Sequence, residues 1–115
     1  MNIEDARLYC LSKMNATEDF PFDETTLAFR VENKIFAIVD LEDTSWFCVK
    51  CDADYAIELR DKYPQICPAW HMNKKYWNQL DITALDDSLF FKLVDHSYDE
   101  VLKKLPKKVR DKYGK

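Results

Sequence analysis

Four residues, Cys48, Cys51, Cys67 and His71, follow the spacing C-x2-C-x15-C-x3-H. On residue type alone this is a Cys3His set of the kind that holds zinc tetrahedrally. Their setting argues against it. WFCVKC (Trp46 to Cys51) reads as a strand, where residues three apart point to opposite faces, whereas a zinc knuckle needs its first pair on one side of a turn. The single glycine, Gly114, is far from these cysteines. We read them as small core-like thiols and expect no metal. The alternative left open is redox chemistry at Cys51, next to a helix N-terminus that could lower its pKa.

His71 and His96 are the only histidines. Nucleophilic catalysis would need one beside a Ser or Cys, with a third group to orient it, and no spacing in the chain announces such a set. We expect no enzyme and no catalytic residues. The single glycine also excludes Gly-rich phosphate loops, and no cofactor motif is present.

A different chemistry is concentrated in PAWHMNKKYWNQL (Pro68 to Leu80), where Trp70, Tyr76 and Trp77 accompany His71, Asn73, Lys74 and Lys75. Aromatics beside lysines can stack on bases while the ammonium groups meet phosphates. Lys34 and Arg30 supply a second basic point, and Lys103, Lys104, Lys107, Lys108 and Arg110 a third.

The elements that carry these residues follow from periodicity. Ile3 to Met14 has helical spacing behind Asn2, a potential N-cap. NATEDFPFDE reads as turn. TLAFRVENKIFAIVDL is a hairpin turning on Glu32, Asn33 and Lys34, and Trp46 to Cys51 is a third strand. Asp52 caps a helix, ADYAIELRDKY, which Pro64 ends. Ile66 to Met72 and Tyr76 to Ile82 form a second hairpin with a polar turn at Asn73, Lys74 and Lys75. Asp86 to Leu105 carries an apolar stripe over five turns, and KKVRDKYG beyond Pro106 adds one helical turn or a frayed tail. The expected fold class is α+β, two-layer: an antiparallel sheet of about five strands with helices packed on it, in the order α-β-β-β-α-β-β-α.

At 115 residues with 47% apolar side chains the chain suits one domain, 1–115. No apolar run reaches the roughly 20 residues of a membrane span, and the acidic N-terminus does not resemble a signal peptide, so we expect no membrane association and a cytoplasmic protein with reduced thiols. Net charge is −4, which opposes nonspecific coating of nucleic acid. The charge is segregated, however. Lys103–Lys115 holds seven Lys or Arg against one Asp, and the body before it holds 10 basic and 20 acidic residues.

The chain resembles the MmcQ/YjbR family over nearly its whole length. The matching stretches are TEDFPFDETTLAFRV (Thr17 to Val31), KIFAIVDLED (Lys34 to Asp43), KCDADYAIELRDKYP (Lys50 to Pro64), PAWHMNKKYWNQL, and LVDHSYDEVLKKLPKKVR (Leu93 to Arg110). The resemblance implies a secretion-chaperone-type fold ordered αβββαββα, similar also to the bacterial frataxin-like arrangement. It implies a DNA-binding protein with a double-wing motif. The positions matching the family's polar motif are His71, Asn73, Lys74, Lys75 and Trp77, with Lys50 and Asp52, and with His96, Ser97 and Tyr98. Cys48 and Cys67 fall outside that pattern. The expected function is therefore non-catalytic DNA binding, with Arg30, Lys34, Lys50, Lys74, Lys75, Lys103, Lys104, Lys107, Lys108 and Arg110 as nucleic-acid contacts. The alternative is a protein- or small-ligand-binding module, with His71, Asn73, Trp77 and His96 as its site.

Overall fold

Glu32 and Asn33 both adopt positive φ, 47° and 67°, the paired left-handed conformations of a type I′ turn, whose twist matches that of the strands it joins. Arg30 Nη1 donates to the Asn33 carbonyl at 3.0 Å across this turn. A computed structural model describes residues 1–114, with backbone alone at 44 and 45. Lys115, counted above in the basic C-terminal segment, lies outside the described residues.

The elements run α1 (Ile3–Leu11), β1 (Thr17–Asp19), β2 (Thr26–Val31), β3 (Lys34–Asp40), β4 (Asp43–Lys50), α2 (Ala53–Lys62), β5 (Ile66–Pro68), β6 (Trp77–Asp81), α3 (Asp87–Leu102) and α4 (Lys107–Arg110), followed by a 3-10 turn, Asp111–Tyr113. The six strands form one antiparallel sheet in the order β1-β2-β3-β4-β6-β5. The fold is α+β, as expected. The strand beyond the expected five is β1, inside the segment read as turn. TED has no apolar alternation, and pairing with β2 together with two ion pairs holds it: Glu18 takes Arg7 of α1 through both carboxylate oxygens at 2.8 and 2.5 Å, and Asp19 takes Arg30 at 2.9 Å.

Side-chain alternation divides the sheet. Leu27, Phe29, Val31, Val39, Phe47, Val49 and Leu80 enter the core, which α3 closes with Phe90, Leu93, Val94, Val101 and Leu102. Phe47 meets Phe90 edge-on at 5.2 Å, and Phe36 meets Tyr98 at 5.5 Å. Each of the fully buried phenylalanines Phe36, Phe47 and Phe90 contributes about 1.5–3 kcal/mol through burial. The three long helices start at side-chain caps, of which Asn2 and Asp52 were read from the sequence: Asn2 accepts from Asp5 N, Asp52 from Tyr55 N and Asp86 from Leu89 N. The opposite face carries Thr26, Ala28, Ile38, Cys48, Cys67 and Gln79, and among the described residues the helices pack their buried side chains into the core on the other face. Among the described residues no helix is long and apolar enough to cross a membrane.

Register fixes which ends meet. β2 runs toward the Glu32–Asn33 turn, β3 away from it and β4 back, and β6 starts where β4 finishes, with Lys50 opposite Trp77. The turn at 32–33, the end of β4 and the β5–β6 loop (69–76) therefore share one end of the sheet. The acidic β3–β4 turn, from Asp40 to Asp43, lies at the other.

Candidate functional site

At the first of these ends, Lys34 begins β3, Lys50 ends β4 and Lys104 follows α3. The three line one depression of about 370 Å³ with Ile35, Val101 and Leu105. The Lys50 pKa lies below its ordinary value, through burial first and then repulsion by Lys104 and Lys34, against attraction by Glu100. Lys104 Nζ stands 5.3 Å from the Tyr76 ring centroid, and Lys75 Nζ stands 5.4 Å from the same centroid. Lys74 Nζ lies 4.6 Å from the Trp70 ring centroid, and Lys74 and Lys75 border a shallow depression with Arg60 of α2. The cations form a continuous run from Lys34 through Lys50, Lys104, Lys75 and Lys74 to Arg60. Arg60, which sequence reasoning missed, lies on α2, which falls between the two hairpins in chain order and reads there as an ordinary solvated helical residue.

The other basic candidates are engaged differently. Arg30 pairs with Asp19, Lys103 with Glu100 at 2.6 Å, and Arg110 donates to the Lys103 carbonyl at 3.5 Å. Lys107 and Lys108 are exposed on the four-residue α4.

The polar motif holds this end together. Asn73 Oδ1 accepts from Lys75 N at 3.1 Å and its carbonyl accepts from Tyr76 N at 3.1 Å, so it shapes the lysine-bearing loop. Trp77 pairs with Lys50 across β6 and β4. Four consecutive residues of α3 tether it to different elements. Asp95 takes Tyr9 and Lys13 of the first helical segment at 2.6 and 2.7 Å, and His96 Nε2 accepts from Asp52 N at 3.1 Å. Ser97 Oγ accepts from Lys50 N and donates to the Phe36 carbonyl at 2.5 Å, and Tyr98 donates to the Met14 carbonyl at 2.6 Å.

His71 is not beside His96. It belongs to the helix-free face, where Trp70, His71 and Met72 border a cleft of about 680 Å³ whose other walls are Phe22, Thr26, Ile38, Asp40, Asp43, Trp46, Cys48 and Gln79. Trp70 was expected on a strand. β5 stops at Pro68, and Trp70 is 58% exposed in the loop. The cysteines divide as strand alternation requires. Cys51 is in the core, its pKa pushed up to about 12 mainly by burial, so the thiolate-stabilising role considered for it is overturned. Cys48 faces the cleft, pushed up to about 11 by burial and then by Cys67. Among the described residues no three potential ligands converge on a metal position.

A family model described as YjbR matches residues 11–100. The chain is 30% identical over 112 residues to the uncharacterized protein YjbR of Escherichia coli K12, covering 96% of this chain and 95% of that one. It is 28% identical over 91 residues to the uncharacterized protein YbdF of E. coli O157:H7, covering 77% and 75%. A crystal structure of a Deinococcus radiodurans protein with a DUF419 domain superposes with a TM-score of 0.90 at 31% identity, over 98% of this chain and 88% of that one.

Proposed function

The chain belongs to the YjbR family, and we propose that it binds DNA through the lysine-bearing end of its sheet. The observation that carries this reading is the run of six cations, in which Lys34, Lys50 and Lys104 share one depression and add their repulsion to the burial that depresses the Lys50 pKa. Like charge only partly offset by Glu100 is unfavourable in the free protein, and phosphate oxygens between the lysines relieve it. The two hairpin tips are three strand spacings apart, about 14 Å. That separation is comparable with the roughly 12 Å width of the B-DNA major groove. The tips act as paired wings that follow two backbones.

The acidic β3–β4 turn, at the opposite end of the sheet, stays away from the duplex, whereas Glu32, Asp61 and Glu100 lie among the cations of the lysine-bearing end. Contacts of this kind neutralise phosphates and position the protein without reading base sequence. Trp70 and Tyr76 add ring faces beside Lys74, Lys75 and Lys104.

Fluorescence anisotropy with a labelled duplex in low salt tests the proposal. Neutralising five or six phosphates gives a slope of log K against log salt of about −5. The variant K34A/K75A/K104A reduces that slope by about 3 and weakens binding. Absence of binding at roughly 100 μM protein, or an unchanged slope in the triple variant, disproves it.

A further inference from the structure

We propose that the cleft on the helix-free face is a binding site for a small organic cation with an apolar body, independent of the DNA-binding end. The site combines three features. Its volume of about 680 Å³ falls within the roughly 300–1,000 Å³ of small-molecule sites. Three aromatic side chains line it and stay open to solvent: Phe22 at 65%, Trp70 at 58% and Trp46 at 39% exposure. Among the described residues its acidic lining is Asp40 and Asp43, at the end of the sheet remote from the lysines.

Geometry orients the ligand. Ile38 and Cys48 face each other across β3 and β4 and form the apolar floor, with Gln79 beside Cys48 on β6. One step further along this face come Asp40 on β3 and Trp46 on β4, so a carboxylate and an indole flank the acidic end. An ammonium group there meets a ring face and a negative charge together, the combination that recognises alkylammonium ligands. The loop end is less suitable for a cation, because Lys74 already stands over Trp70. The apolar body therefore extends toward Trp70, Met72 and His71, and the ammonium toward Trp46, Asp40 and Asp43. An anionic ligand meets the two carboxylates and is disfavoured. Among the described residues no lysine or arginine lines the cleft.

The test uses the full chain and three probes of similar size: benzyltrimethylammonium, its neutral tert-butyl isostere and benzenesulfonate. Binding is read by tryptophan fluorescence and by NMR shifts. The ammonium probe is expected to bind about tenfold more tightly than the neutral isostere, with benzenesulfonate weakest. Asp40→Asn keeps the oxygen that accepts from Glu42 N at 2.9 Å, so the turn survives while the charge is lost. This variant and Trp46→Ala each weaken the ammonium probe about three- to tenfold, with folding verified by circular dichroism. K34A/K75A/K104A leaves that affinity unchanged, which separates this site from the DNA-binding end. Equal affinity for all three probes, preference for the neutral or anionic one, or no ammonium binding at about 10 mM overturns the proposal.

Discussion

Ser97 Oγ lies 2.8 Å from Lys50 N, which ties the buried middle of α3 to the last residue of β4. The same hydroxyl donates to the Phe36 carbonyl at 2.5 Å, so one side chain satisfies backbone groups on two adjacent strands. Ser97→Ala leaves an amide and a carbonyl without that partner. The expected loss is about 1–3 kcal/mol of stability in urea denaturation. A loss below about 0.5 kcal/mol would mean that water replaces the hydroxyl.

His96 accepts from Asp52 N and meets the Tyr55 ring edge-on at 5.0 Å. His96→Phe retains the ring contact and removes the acceptor, so it costs about 0.5–1.5 kcal/mol in the same measurement. DNA affinity and ammonium-probe affinity stay unchanged, because His96 belongs to neither surface. A change in either affinity at equal folding would show that it does more than anchor α2.

Lys50 should oppose stability. Its folded pKa is lower than its unfolded value, so in the window below 10.5 the unfolded chain binds more protons, and this residue's contribution to stability rises as pH rises through that window. Lys50→Met removes the repulsion from Lys104 and Lys34. The variant is expected to melt higher than the parent at neutral pH, with the gap closing toward pH 10.5, and to bind the duplex more weakly. A lower melting temperature together with unchanged DNA affinity would contradict a binding role for the cluster.

Cys48 is predicted to resist alkylation although it faces the cleft. Its pKa near 11 leaves little thiolate at pH 8, and iodoacetamide should modify it at least about tenfold more slowly than in the urea-unfolded chain. The stability associated with this neutral thiol is complete below the ordinary value of 9.0 and is lost as pH rises toward about 11. Mass spectrometry of time-quenched samples provides the rates.

Short-range chemistry was legible in residue order. The strand alternation on both sides of Asn33, the caps Asn2 and Asp52, and the stripe of α3 are set by backbone conformation and by burial of one face. Interactions of this range are written in consecutive residues. β1 was not legible, because a polar three-residue edge strand has no pattern of its own and depends on Arg7, Arg30 and the edge of β2. The second hairpin was read too long for a related reason. Pro68 and the turn around Asn73 end the pairing early, and Trp70 is left outside the sheet.

The site residues divide along the same line. Residue types alone identified Lys34, Lys50, Lys74, Lys75 and Lys104 as cations, and His71 with Asn73 as a polar pair. Only strand register and the path of α3 brought those five lysines and Arg60 to one end. The same register sent His71 to the helix-free face while His96 bound α2, and it put Cys51 in the core while Cys48 faces the cleft. Parity along a strand is local. Which strands are neighbours, and which end of each meets which, depends on contacts between residues as far apart as Phe36 and Ser97, and no local pattern in the chain encodes those distances.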